Sequence, residues 1–254
     1  MINISILSQE LDLGTLKFIK YCIKNKINIK YLLVAPVVTM HPIRLKQNNI
    51  RKRVFSETPR KPLFEKVLQF SRKNLIFRRA KQLLYKVILF HYKTRYKFKV
   101  ESLKDNFRSN NFNCYDYLTV IYSLEGIVNP DTLKRFKNGM LNIHPAILPD
   151  YRGLDGGLWA LKEGGELGVS AYIMNEGIDT GAIINTYSAD KSNWTTLQEY
   201  LVYIKKLKYK SYVDAIKMAH SDKFKARHPV IRTSQNRGLM SENILKDLAE
   251  FINI

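Results

Sequence analysis

Three side chains able to stabilise charge or move a proton lie in the second half of the sequence. Asn142 and His144 sit two apart in LNIHPAILPDYRG (141–153), and Asp179 follows in EGIDTG (176–181). In a strand, positions i and i+2 point to the same face. The amide and the imidazole therefore share one face where an apolar run gives way to a proline- and glycine-bearing loop. An amide N–H and an imidazolium can stabilise an oxyanion developing at a carbonyl carbon, and a carboxylate can orient the imidazole or a water. That set suits acyl transfer. Singly, each member has an ordinary reading: a strand-end histidine is commonly structural, and an Asp before Thr-Gly is commonly a turn residue.

The elements that must position these groups are legible from pattern. INISILS (2–8) reads as a buried strand, LDLGTLKFIKYCIKNK (11–26) as a helix with Leu16, Phe18, Ile19, Cys22 and Ile23 at helical spacing, and INIKYLLVAPV (27–37) as a second strand. Strand–helix–strand at these lengths argues a parallel sheet. Further strands are expected at 98–103, 115–123, 140–147, 168–175 and 181–189. A polar helix is expected up to about 111, a helix over 129–137 with Asn129 as N-cap and Pro130 at its first position, and a short helix over 157–165. Thr196 with Glu199 makes a capping-box pattern that opens a helix over about 197–220, and a last helix covers 241–252. In open α/β sheets ligands bind beyond the carboxyl ends of the strands, and all three candidate residues fall at or just past strand ends.

Composition narrows the setting. The chain has 254 residues and a formal net charge of +20, and residues 41–100 hold 18 Lys/Arg against two acidic residues. Most of the basicity thus belongs to one segment. Within it, residues 41–60 read as a polar loop or insertion, and 62–92 as helical in pieces. Ile76, Ala80, Leu83, Leu84, Val87 and Ile88 fall on one helical face, with Arg72, Arg79, Lys81 and Lys86 around the others. The plain expectation is a basic surface helix packing that apolar face on the sheet. The functional one is a platform for an anionic substrate, nucleic acid or a membrane surface. Two cysteines, Cys22 and Cys114, are too few for a disulfide framework, so a cytoplasmic setting is expected. No Cys/His cluster suggests a metal site, no segment is long and apolar enough to span a bilayer, and the N-terminus lacks signal-peptide character.

Taken together, NIHPAILPDYRG, the following GLWAL, and GVSAYIMNEGIDTGAII resemble the folate-dependent formyltransferases, a family that includes glycinamide ribonucleotide transformylase, methionyl-tRNA formyltransferase and sugar-nucleotide N-formyltransferases. The close match covers about residues 115–187. The resemblance implies an α/β, Rossmann-like fold with a mostly parallel central sheet, here carrying a basic helical insertion (about 41–97) in a catalytic domain over 1–190 and a short, mainly helical extension over 191–254. It implies Asn142, His144 and Asp179 as the catalytic residues, with Asp179 keeping His144 charged. It further implies 10-formyltetrahydrofolate as the consumed formyl donor, no metal, and a folate pocket using Ile127, Val128, Met174, Asn175 and Gly177.

Two departures bear on the acceptor. Tyr172 stands where the family often has a histidine, and a phenol cannot carry an imidazolium's charge near neutral pH. The loop RGLDGGLWAL replaces a common Ser-Pro pair, so Arg152, Asp155 and Tyr172 become the candidate substrate-binding residues. Asp155 also reads as an ordinary helix N-cap. A nucleotide-linked amino sugar is the favoured acceptor, since its anionic groups suit Arg152 and basic neighbours. Methionyl-tRNA or another amine is the alternative, with only about 65 residues after Asp190 to serve a tRNA-binding domain. A homodimer is expected from the resemblance, and the amphipathic basic insertion motivates a membrane-associated acceptor as a further alternative.

Overall fold

The computed structural model describes residues 2–9, 11–35, 75–104, 107, 109–124, 128–221 and 236–252. Ile127, the predicted loop over 41–60, the start of the predicted helical stretch and most of the basic segment after residue 222 lie outside these residues.

Among the described residues the strands are β1 (Asn3–Ser8), β2 (Asn28–Val34), β3 (Lys99–Ser102), β4 (Leu118–Ser123), β5 (Met140–His144), β6 (Gly168–Ile173) and β7 (Ala182–Ser188). The α-helices are α1 (Leu13–Lys24), α2 (Leu75–Tyr96), α3 (Pro130–Arg135), α4 (Gly156–Glu163), α5 (Leu197–Ala219) and α6 (Glu242–Ile252). The strands form one sheet in the order β3-β2-β1-β4-β5-β6-β7. β1 to β5 are mutually parallel, while β6 runs antiparallel to β5 and β7 to β6. The fold is α/β and Rossmann-like with a mostly parallel sheet, as the sequence indicated. β1 lies between β2 and β4, so strand order reverses there, and the crevice such a reversal makes opens beyond the carboxyl ends of the strands.

Local chemistry explains the helix starts. Asp12 caps α1 by accepting from the Thr15 backbone N–H at 2.7 Å and from the Thr15 hydroxyl at 2.8 Å. Asn129 caps α3 through the Thr132 N–H at 2.8 Å, with Pro130 in the first turn. The capping box of α5 is complete, with Thr196 and Glu199 each satisfying the other's backbone. The polar helix expected up to about residue 111 falls partly on residues 105, 106 and 108, outside the described ones, and Ser109 and Asn110 are not helical. Instead Tyr115 Oη donates to the Phe107 carbonyl and accepts from the Ser109 N–H, closing a turn into a short 3-10 helix over Phe112–Tyr115. A buried phenol thus supplies the backbone partners that a helix would have supplied.

The sheet has a core on each face. One contains Ile4, Ile6, Phe18 and Ile19 with Tyr200, Tyr212, Val213 and Ile216 of α5 and Leu245 of α6. The other contains Leu7, Leu33, Tyr115, Val128, Phe136 and Met140. Tyr212 and Tyr200 are among the largest fully buried side chains. The helix opened by the capping box therefore covers the sheet face behind β5, β6 and β7 and backs the strands that carry the candidate residues.

Candidate active site

His144 ends β5 and is 5 % exposed. Its register partner on β6 is Ser170, and that of Asn142 is Tyr172. The cross-strand pairing decides what the amide meets: Asn142 Nδ2 donates to Tyr172 Oη at 3.0 Å. The Tyr172 hydroxyl then donates to Asp179 Oδ1 at 2.7 Å. Asp179 lies in the loop between β6 and β7 with φ of +51°, a left-handed conformation that Asp tolerates better than most residues. Its other oxygen accepts from the Gly153 N–H at 2.8 Å and lies 3.4 Å from His144 Nδ1. The structure thus brings Asn142, His144 and Asp179 together, with Tyr172 as the bridge between the amide and the carboxylate. Its one proton is committed to Asp179, so the phenol orders the other groups.

On the opposite side of the imidazole, His144 Nε2–H donates to the Tyr151 carbonyl at 2.6 Å. This fixes the neutral tautomer as Nε2–H and turns the Nδ1 lone pair toward Asp179. The sequence reading had Asp179 keeping the histidine charged. Burial works against this. Burial pushes the His144 pKa below its ordinary value, and this outweighs the upward pulls of the Asp179 carboxylate and of the bond to Tyr151; Lys208 of α5 adds a further downward push. The Lys208 ammonium is itself disfavoured by burial and by Lys205, which lower its pKa to about 8. Burial likewise raises the Tyr172 pKa, so its proton stays in place at neutral pH.

The loop LDGG has a packing reason. A Cβ on Gly156 would lie 2.5 Å from the Tyr151 carbonyl oxygen and 2.8 Å from His144 Nε2, so α4 can begin against the imidazole only with glycine there. Asp155, at φ of +58°, occupies the N-cap position of α4, but its side chain makes no capping bond. Its carboxylate accepts from the Met240 N–H at 3.1 Å. That contact belongs to a strap, residues 236–240, which crosses the loop 151–155. Arg237 N donates to the Arg152 carbonyl and Leu154 N donates to the Arg237 carbonyl, both at 2.9 Å, forming a parallel bridge at Gly153. Gly153 has φ of +87°, and a Cβ there would fall 2.5 Å from the Arg237 carbonyl. The Arg237 guanidinium pairs with both oxygens of Glu163 at 2.5 and 2.9 Å and lies over the rings of Tyr151 and Trp159. Trp159 Nε1 donates to the Gly238 carbonyl at 2.8 Å. The strap therefore holds the loop whose backbone supplies a donor to Asp179 and an acceptor to His144. Sequence reading missed it. Its residues lie beyond a long irregular stretch, and nothing local marks them as partners of residue 153.

The remaining candidates are placed nearby. Val128 is buried and Met174 half-buried against the same apolar cluster. Asn175 knits its own loop, accepting from the Thr180 hydroxyl at 2.8 Å and the Gly177 N–H at 3.2 Å and donating to the Thr180 carbonyl. Residues 175–178 are exposed, Ile178 among them, next to Asp179. A cavity of about 410 Å³ lies at the amino ends of the strands, among Asn3, Asp116, Asn138 and His220, and touches none of the candidate residues. Among the described residues no group of His, Cys, Asp and Glu could hold a metal ion, and no helix is long and apolar enough to cross a membrane.

A family model described as formyl transferase matches residues 16–216. The chain belongs to the formyl transferase family. Within that family, a methionyl-tRNA formyltransferase of Synechocystis sp. is 36% identical over 73 residues, 28% of this chain and 22% of that protein. The chain spans only about a fifth to a third of the length of the curated methionyl-tRNA formyltransferases it matches. Two solved structures share the formyl transferase fold at a TM-score of 0.55. One is an N-formyltransferase from Helicobacter canadensis in complex with folinic acid and dTDP-3-aminofucose, 15% identical, covering 99% of this chain and 81% of that one. The other is a phosphoribosylglycinamide formyltransferase from Anaplasma phagocytophilum, 14% identical, covering 88% and 89%.

Proposed function

We propose that this formyl transferase passes the formyl group of 10-formyltetrahydrofolate to the amine of a nucleotide-linked amino sugar. The carrying observation is the hydrogen-bonded chain Asn142–Tyr172–Asp179 beside a buried His144 at the end of β5. The acceptor nitrogen attacks the formyl carbon, and the carbon's bond to N10 of the folate then breaks. The amine loses a proton, N10 gains one, and no electrons change hands. Asn142 uses one amide hydrogen on Tyr172, leaving the second for the formyl oxygen as negative charge builds on it. His144 has both nitrogens turned to the chain's own acceptors. It therefore acts through charge. The proton released by the amine, relayed through Asp179 or a water, pauses on Nδ1, where it converts the 3.4 Å approach into a charge-assisted bond, and then passes to the departing N10. Burial leaves Nδ1 unprotonated, and the Asp179 carboxylate is the group that favours the proton there. The pterin lies against Val128 and Met174 with the backbone of Asn175–Gly177 at its edge.

Both solved relatives share the fold equally, so the acceptor is read from the site's rim. Arg152 stands on the strapped loop beside the Asp179 partner Gly153, where a nucleotide's phosphates would meet a guanidinium. The complex of the Helicobacter canadensis protein with dTDP-3-aminofucose supports this reading. Methionyl-tRNA is the second reading, favoured by the identity to methionyl-tRNA formyltransferases and by the charge of +20. The test offers 10-formyltetrahydrofolate with a panel of nucleotide-linked amino sugars, glycinamide ribonucleotide and methionyl-tRNA, and detects formylated product by mass. Product with an amino-sugar nucleotide is expected. Product with methionyl-tRNA alone would replace the first acceptor with the second, and no product with any amine would overturn the activity.

A further inference from the structure

The sequence places the aliphatic residues of α2 on one face and expects that face to pack on the sheet. The structure turns the helix the other way. Tyr85 is buried, and Leu89 and Tyr92 are half-buried against the core beside α1. Leu83, Leu84, Val87 and Phe90 point outward, 64, 55, 57 and 70 % exposed. Positions 83, 87 and 90 are spaced i, i+4, i+7 and form one line, with Leu84 beside it. The aromatic side of α2 serves the fold, and the aliphatic side serves nothing within the described residues.

What surrounds the stripe identifies its occupant. α2 carries six basic residues and no acidic one over its 22 positions. Lys86 and Lys93 flank the stripe on one side and Arg95 on the other, all exposed. A second copy of this chain would set these cations against their own equivalents, which repel. Nucleic acid would answer the cations but leave the apolar line against phosphates. A bilayer with anionic headgroups satisfies both, with acyl boundary for the stripe and phosphate for the lysines. We propose that the outer face of α2 docks the enzyme on an anionic membrane surface.

The experiment is vesicle flotation with the full chain. Vesicles of equal parts phosphatidylcholine and phosphatidylglycerol should carry the protein upward, pure phosphatidylcholine should not, and added salt should weaken the binding. Replacing Leu83, Val87 and Phe90 together by Ser is expected to lower affinity at least about tenfold. Lys86→Gln with Lys93→Gln is expected to lower it roughly ten- to thirtyfold. These residues are exposed, so both variants should retain the wild-type circular dichroism and melting curve. If the triple variant does not, Phe90→Ser alone serves, with the same direction of change. Three results would overturn the proposal. The first is no flotation on anionic vesicles at about 0.15 M salt. The second is equal flotation of wild type and stripe variant, or of wild type on both vesicle types. The third is a lipid-free dimer that the stripe variant dissolves, which would give the face to a second copy.

Discussion

At the scale of single residues, the site is a contest between burial and charge over one imidazole. His144 is held neutral by its surroundings while a carboxylate waits 3.4 Å from its unprotonated nitrogen. Because Asp179 pulls the His144 pKa up, Asp179→Asn should move its titration further down, as read by NMR of the ring. A rise would contradict the assignment of the pair. His144→Ala and Asp179→Asn should each lower kcat by about 10²-fold or more while tetrahydrofolate still binds, a split measurable by steady-state kinetics beside calorimetry. Tyr172→Phe preserves the buried ring and removes only the bridge. A roughly ten- to hundredfold loss in kcat is expected, whereas unchanged kcat would make the phenol mere packing. The spacing of Asn142 and His144 and the IDTG context made these residues legible in the sequence. The role of Tyr172 was not legible, because it depends on the register that sets Asn142 opposite it across two antiparallel strands.

At the scale of elements, three helices and a strap do what their local sequence only partly announces. The capping box of α5 and the Asn-Pro start of α3 were readable because capping chemistry lies within four residues of the chain. The orientation of α2 was not. Both of its faces are apolar enough to bury, and the choice fell to the aromatic residues that fit against α1. The strap was invisible because backbone pairing carries no side-chain signature. Its contribution can be measured at Arg237, whose ion pair is partly solvated and stabilises by no more than about 1 kcal/mol. Arg237→Ala should therefore leave the fold nearly as stable while lowering kcat, because the loop bearing Tyr151 and Gly153 loses its anchor. Arg237→Lys should recover little, since lysine cannot make the two-pronged contact with Glu163. Gly153→Ala should destabilise more than Arg237→Ala, because it meets both the positive φ and the strap backbone. Equal kcat in all three variants would make the strap a bystander.

At the scale of the molecule, the sheet divides its labours by end and by edge. The candidate chemistry sits beyond the carboxyl end of β5, α2 packs beside α1 with its aliphatic side turned outward, and α5 backs β5, β6 and β7. The buried histidine also couples the site to the stability of the whole. Its pKa is lower folded than unfolded, so its contribution is fully present above about pH 6.5 and is lost as pH falls through the folded value. Denaturant titrations of wild type and His144→Asn across pH 7 to 5 should converge on acidification, the wild type losing the more. Parallel curves would mean that His144 does not titrate with folding. The strap, finally, gives the protein a timetable. Residue 153 needs residue 237 beside it, so a ribosome making this chain releases the whole sheet before it releases the piece that steadies the histidine's loop. The loop beside the histidine gains its brace only after every strand of the sheet has been made.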